Sequence, residues 1–419
     1  MDDIKLLLEG TDYQRKYLDL IAKADKEIIL QSYIFELDSF GSKVLELLLK
    51  KSTEGVKVFL LIDYWGSFFN VKKIKERTSN HENIKASFFN PLKLSTFLLQ
   101  GRRLHHKVLL VDNKEIIVGG INVSTSRLRF KKDRLDFALM IASDFSEKFK
   151  QYFLNLGLDE STVQLKKHKE IHSSNTVFLV NDWFRSRKNI NDSYLSLVDK
   201  STERITLLHG YFLPSKKLLK KLIEKSGKGV RVELILPRIS DWKVWVWSTR
   251  YLYKYLLEHK ISIYEWEDSE LHGKLGVFDG KVLSLGSHNL NYMSSYGNIE
   301  LNCEVHDKEF VERVNVNVID LIKKGSKQIQ GSSYPVTFSS SWMRNFIFFH
   351  LLTIISFLSI MMIKFAHKVV HVHPFRLLAF IFLIILGIVG VILPILPGLI
   401  FIFFAFVVLS TEKKSTEKM

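Results

Sequence analysis

An internal repeat with a period of about 170 residues limits this chain to a duplicated architecture. In the first part KADKEIILQSYIF is followed by a helical VLELLLKKSTEG and then VKVFLLID; in the second, DKSTERITLLHGYF is followed by LLKKLIEKSGKG and VRVELILP. Gly55, Val56, Lys57 and Val58 thus correspond to Gly229, Val230, Arg231 and Val232. Each unit reads strand, helix, strand. Its short runs of Ile, Val and Leu, bounded by turn signals, have the pattern of strands buried on both faces of an α/β sheet. Two such halves are expected to fuse into one bilobal unit with a site shared across their interface.

The chemistry-bearing residues fall at equivalent places in the two copies. His105, Lys107, Asp112, Gly119 and Asn122 in the first, and His272, Lys274, Asp279, Gly286 and Asn289 in the second, both fit HxKxxxxDxxxxxxGxxN. On an extended segment, residues two apart share a face, so each imidazole and its ammonium can address one phosphate together. Lys supplies charge to the nonbridging oxygens, Asn an amide donor, and the glycines let backbone approach the anion. Two facing copies provide two histidines, as a double displacement at phosphorus requires: one attacks, while the other protonates the leaving alcohol and later deprotonates the incoming one.

The formal charge of +16 calls for an anionic partner, which may be nucleic acid, an acidic membrane surface or a phosphorylated substrate. The last 79 residues hold seven Lys/Arg against two Asp/Glu, so +11 remains on the first 340. Hydrophobic residues at 47% exclude a disordered chain. The single cysteine, Cys303, excludes an intrachain disulfide and a thiolate zinc cluster.

Near the C-terminus, Phe346–Ile363 and Leu377–Leu409 run for 18 and 33 residues without Asp, Glu, Lys or Arg and read as membrane segments. One helix of the longer run would span about 50 Å, beyond a hydrocarbon core of about 30 Å. Gly387, Gly390, Pro394, Pro397 and Gly398 are therefore expected to turn it into a hairpin or a strongly kinked helix pair. Lys364, Lys368 and Arg376 before it, and Lys413, Lys414 and Lys418 after it, favour the cytoplasm for both ends. With no signal peptide legible after Met1, Phe346–Ile363 is expected to be an interfacial or half-inserted helix and the basic body to lie on the cytoplasmic face.

These motifs resemble the phospholipase D superfamily with paired HKD motifs, over about Ile4 to Lys324. The first-half Gly-Gly-x-Asn, the strand end Tyr211 to Pro214, LHGKLGVFDGKVLSLGSHNL and NIELNCEVHD are most similar to bacterial cardiolipin synthases of the B type. The resemblance implies transfer of a phosphatidyl group onto phosphatidylglycerol, giving cardiolipin and glycerol, without metal or other cofactor, at an anionic bacterial inner-membrane surface and with no nucleic acid partner. It implies catalytic roles for His105, Lys107, Asp112, His272, Lys274 and Asp279, with the aspartates structural and orienting rather than reactive, and substrate contacts from Asn122, Ser287 and Asn289. Glu300 stands where the family places a carboxylate that orients a catalytic imidazole, and Asp136 is its first-half counterpart. Gly120 stands where many members carry Ser, so only Ser287 offers that hydroxyl and the halves are not expected to play equal roles. Hydrolysis with water as acceptor uses the same residues, and a nuclease is the third reading, although superfamily nucleases are often a single motif unit that dimerises.

The expected organisation is a first half over 1–158, a connection over 159–191, a second half over 192–325, a linker over 326–340, an interfacial or membrane helix over 341–368, a basic loop over 369–376, a membrane hairpin over 377–410 and a basic tail over 411–419. His106 is expected to point away from the site, and His367, His371 and His373 to form a juxtamembrane cationic stretch rather than a metal site. Trp242, Trp245, Trp247, Tyr251 and Tyr253, interleaved with basic residues, suit either a lipid interface or a core. Phe88, Phe89, Phe97 to Leu99, Arg102 and Arg103 suit either the lining of an acyl entrance or packing under a loop.

Overall fold

The computed structural model describes residues 3–91, 102–125, 134–156, 171–172, 175–185, 187–330 and 339–371. Those from 3–89 and 103–354 form one compact unit that contains both halves of the repeat. The first half supplies strands β1 (Asp3–Leu8), β2 (Glu27–Ser32), β3 (Lys57–Asp63), β4 (Ile84–Phe89), β5 (Arg103–Leu104), β6 (Lys107–Val111), β7 (Glu115–Gly119) and β8 (Phe137–Ala142). Its helices are α1 (Thr11–Ala22), α2 (Ser39–Thr53), α3 (Phe68–Thr78) and α4 (Glu147–Leu156). The sheet order is β1-β8-β7-β6-β2-β3-β4, with β2, β3 and β4 parallel and β6 antiparallel to β2.

The second half repeats this plan. Its strands are β9 (Ile171–His172), β10 (Thr176–Asp182), β11 (Arg187–Lys188), β12 (Arg204–His209), β13 (Arg231–Pro237), β14 (Ser262–Trp266), β15 (Lys274–Phe278), β16 (Val282–Gly286), β17 (Asn298–Val305) and β18 (Ser326–Ile329). The stretch β10-β17-β16-β15-β12-β13-β14 matches the first sheet strand for strand, and β18 adds to its far edge. The helices are α5 (Asn189–Lys200), α6 (Lys216–Gly227), α7 (Lys243–Tyr251), α8 (Tyr253–Glu258), α9 (Tyr292–Tyr296), α10 (Lys308–Val314) and α11 (Asp320–Lys324), followed by α12 (Ser340–His371).

The apolar runs are strands because they are buried on both faces. In β2 and β6, Ile28, Leu30, Leu109 and Val111 enter an outer core with α1 and α2, while Ile29, Val108 and Leu110 enter a central core shared with the second half. The repeated helices start on side-chain caps, with Asp38 accepting from the Phe40 and Gly41 amides and Ser215 from that of Leu218. They end before Gly55 and Gly229, both at φ 91°, a conformation that favours glycine although a Cβ would meet nothing among the described residues within 4 Å.

Two expected boundaries move. Residues 171–188, assigned to the connection, supply β9, β10 and β11, and α5 begins at Asn189. β10 is the counterpart of β1, and TVFLVND has diverged from DIKLLL too far for the repeat to reveal it. Ser326–Ile329, assigned to the linker, pairs with β14.

The aromatic cluster after β13 is divided three ways. Trp245 and Tyr253 are buried in the second-half core, where the Tyr253 hydroxyl donates to Glu265 at 2.9 Å. Trp247 and Tyr251 receive the start of α12, through ring contacts to Phe348 at 5.0 Å and Phe349 at 4.7 Å. Trp242 stays exposed. Within α12, Ser340–Leu358 is long and apolar enough to cross a membrane, with mean hydropathy 1.3. Phe88 and Phe89 lie in β4, Phe89 buried; Phe97 to Leu99, the hairpin over 377–410 and His373 lie outside the described residues.

Candidate active site

The HxK segments leave the two sheets at β5–β6 and just before β15, and each is pinned by the opposite half. β5 pairs with the start of β17, and the His105 amide donates to the Ile299 carbonyl at 2.9 Å. In return the His272 amide donates to the Leu135 carbonyl at 3.0 Å, beside a bridge between Leu135 and Leu271. This exchange puts each imidazole against a carboxylate of the other half. His105 Nδ1 lies 2.8 Å from Glu300 Oε2, and His272 Nδ1 lies 2.6 Å from Asp136 Oδ2. An Nδ1–H held this way leaves Nε2 as the reactive nitrogen.

The two lysines complete the cluster. Lys107 Nζ donates to the His105 carbonyl at 2.8 Å, and Lys274 Nζ to that of His272 while lying 2.9 and 3.1 Å from its ring nitrogens. A tyrosine at the end of the repeat's first strand backs each pair: Tyr33 is 4.9 Å from the His105 ring and Tyr211 is 5.7 Å from that of His272. Lys107 and Lys274 sit over these tyrosine rings at 5.3 and 5.8 Å. Burial pushes the Lys107 ammonium down to about 7 and that of Lys274 down to about 8.

Burial also lowers the proton affinity of both histidines. For the carboxylates, burial works in the raising direction and loses. Glu300, accepting from three hydrogen-bond donors and facing Lys107, is held down at about 2, and Asp136 is held below the usual range by Lys274 and His272. Those donors on Glu300 are His105 Nδ1, Asn298 Nδ2 at 3.0 Å and the Ser287 hydroxyl. Two ammonium groups and two carboxylates balance, so an arriving phosphodiester monoanion favours uptake of one proton by the cluster.

The other expected site residues divide. Asn122 and Asn289 are buried; the Asn122 side-chain carbonyl accepts from the Ile34 amide at 3.2 Å, while Asn289 Oδ1 has no hydrogen-bond partner among the described residues. Asp112 and Asp279 are not in the cluster. Each lies at the far end of a five-residue strand, about 16 Å along from its lysine. Asp112 accepts from the amides of Asp25, Lys26 and Glu27 at 2.8 to 2.9 Å, and Asp279 from those of Thr202, Glu203 and Arg204 at 2.9 Å. Both tie the sheet together. His106 points away from the site, with Nδ1 2.9 Å from Gln31 Oε1.

Several neighbours were not anticipated. Asp63 accepts from the Leu104 amide at 2.9 Å and faces Arg103 at 3.7 Å, anchoring the strand that presents His105. On the other side the Tyr211 hydroxyl donates to Asp241, and Glu270, pushed up to about 7 by burial and by Asp241, stands two residues before His272. The tyrosines had a signal, since QSYIF and HGYF echo each other, but Asp63 ends β3 where the repeat has Pro237, and Asp241 and Glu270 occupy loop positions without a counterpart. Among the described residues no group of three or more His, Cys, Asp or Glu is placed to hold a metal ion.

Fold and site together define a two-motif phospholipase D-like protein. The chain belongs to the family described as "Cardiolipin synthase, PLD-like domain", whose profile matches residues 17–156 and 194–322. It is 28% identical over 349 residues to cardiolipin synthase B of Salmonella typhi, covering 80% of this chain and 84% of that one. It is 27% identical over 330 residues to a cardiolipin synthase of Clostridium perfringens, covering 73% and 67%. Among solved structures, phosphatidylserine synthase of Haemophilus influenzae shares the fold with a TM-score of 0.68 at 16% identity, covering 85% of this chain and 94% of that one.

Proposed function

We propose that this protein is a phosphatidyltransferase of the cardiolipin synthase type, moving a phosphatidyl group through a phosphohistidine onto phosphatidylglycerol. His105 Nε2 attacks phosphorus, the P–O bond to the headgroup glycerol breaks, and the departing oxygen takes a proton from His272. The headgroup hydroxyl of a second phosphatidylglycerol then gives its proton to His272 and attacks phosphorus, which releases His105 and leaves cardiolipin. Lys107 and Lys274 hold the nonbridging oxygens, and their charge, costly to keep in a buried site, is best supported when phosphate lies between them. The observation that carries this reading is the reciprocal pairing of His105 with Glu300 and His272 with Asp136, which gives a nucleophile and an acid–base partner separate supports around one phosphate.

The protein works at the membrane, on its cytoplasmic face, through α12 and the apolar run Leu377–Leu409; what supports this is their hydropathy and basic flanks. The test is to incubate the purified full chain with phosphatidylglycerol in mixed micelles and resolve the products. Cardiolipin with equimolar glycerol is expected. Phosphatidic acid as the dominant product would make the protein a hydrolase instead.

A further inference from the structure

We propose that two aromatic loops, one from each half, dock the mouth of the active site onto the bilayer that holds its substrate. The first runs from the end of β3 into the start of α3 and carries Trp65, Phe68 and Phe69, the last 95% exposed; the second follows β13 and carries Trp242, 61% exposed. β3 and β13 hold the same place in their sheets, so these are equivalent loops at the same strand end. The reciprocal exchange of contacts between the halves relates them by an approximate twofold through the histidine pair. Two loops related in this way lie at equal height on either side of the site.

Each loop is built into the site's wall. The Arg103 guanidinium, two residues from His105, lies 5.7 Å over the Trp65 ring, and Asp63 accepts from the Gly66 amide and from the strand bearing Arg103. Trp242 adjoins Asp241, which accepts from Tyr211 against His272. Aromatic rings left in water at such a position lose apolar area that the headgroup region of a bilayer would cover. The charge fits the same occupant: α3 continues from Phe68 into Lys72, Lys73, Lys75 and Arg77 with Glu76 the one acid, and Lys243 follows Trp242. The occupant is therefore an anionic lipid surface, whose phosphodiester then has to move only into the cleft between the loops. This inference rests on the phosphatidyltransferase reading and adds how that substrate reaches the site.

The test uses the full chain in vesicles of phosphatidylglycerol and phosphatidylcholine, with nitroxide labels on Phe69→Cys or Trp242→Cys; the native Cys303 is buried and does not label. Lys228→Cys, at the end of α6 just ahead of β13 and so at the opposite strand end, is the water-facing control. Both loop labels are expected to be reached by oxygen in preference to a water-soluble nickel chelate, and the control the reverse. A second measurement compares substrates for the double variant Phe69→Asp with Trp242→Asp. Transfer on vesicles should fall by about tenfold or more, while transfer on monomeric dihexanoyl phosphatidylglycerol should change by less than about twofold. Loop labels as open to the chelate as the control, or shielded equally without lipid by contact between copies, would overturn the docking surface. Native protein inactive on both substrates would instead sink the transferase reading, with the label depths still deciding the docking.

Discussion

In the first half a short carboxylate, Asp136, faces Gly120; in the second a longer one, Glu300, faces Ser287. A Cβ on Gly120 would stand 2.2 Å from Asp136 Oδ1, whereas the Ser287 hydroxyl donates to Glu300 Oε2. Each pair fills the same space by a different division of atoms between two strands. The consequences reach both histidines, because the carboxylates serve the opposite half. Glu300 holds His105 while braced by Ser287 and Asn298, which suits an imidazole kept in one tautomer for attack. Asp136, bonded to His272 and the Phe137 amide and close to Lys274, suits a histidine whose proton count changes twice per turnover. Near-twofold scaffolding thus gives the two histidines unequal supports, the asymmetry on which the proposed division of roles rests.

The largest expected effect tests whether those roles are unequal in kind. His105→Ala and His272→Ala should each lower cardiolipin formation by at least about 10⁴-fold with the circular dichroism spectrum unchanged. They should differ with labelled substrate bearing a good leaving group: the His272 variant still traps label on His105, and the His105 variant traps none. Peptide mass spectrometry locates the label. Label found on His272 would reverse the assignment.

A smaller effect probes the division of atoms itself. Gly120→Ser should lower kcat by about 10²-fold, because its Cβ drives Asp136 off His272. Adding Asp136→Glu should bring the rate back to within about tenfold, since that pair works in the other half. A double variant as slow as the product of the two single effects would show that the pairs are not coupled.

The lysines give a smaller difference. Both must be protonated to hold the phosphate, so activity is lost as pH rises through their values. With Lys107 at about 7 and Lys274 at about 8, the alkaline fall of kcat/KM should begin near pH 7. Lys107→Arg should move it up by about one unit and Lys274→Arg should leave it in place. The limb in kcat should lie higher for the native protein, because bound phosphodiester supports both ammonium groups. An alkaline limb that neither substitution moves would assign the titration elsewhere.

How much of this was legible in the sequence depends on the distance over which each feature is determined. The strands carrying His105, Lys107, His272 and Lys274 were readable because burial on both faces leaves uninterrupted apolar runs. That Glu300 and Asp136 belong to the site was suggested by family likeness, but not which histidine each serves. Those partnerships span 195 and 136 residues and are decided by strand contacts between the halves. β10 was missed because it pairs in the sheet before the recognisable repeat begins. The fate of Trp242 to Tyr253 was open for a simpler reason: α7 is apolar on more than one face, and only the arrival of α12 shows which face is covered.

The smallest expected effect on chemistry belongs to the motif aspartates, and it separates spacing from function. Asp112 and Asp279 repeat at identical offsets from the histidines, and the spacing by itself does not separate them from the lysines. Each instead collects three backbone amides where the turn after β6 or β15, at φ 53° or 52°, meets the start of β2 or β12. Removing one by Asp112→Ala or Asp279→Ala leaves amides without their acceptor and should cost about 1–3 kcal/mol of stability, read as a lower denaturant midpoint. With the active site about 16 Å away along the strand, kcat of the folded protein should stay within about twofold. The two variants should also behave alike to within the one added contact from the Thr202 hydroxyl to Asp279, because the three-amide cluster, unlike the carboxylates at the histidines, is common to both halves. A large loss of kcat at full stability in either variant would return that aspartate to the catalytic group.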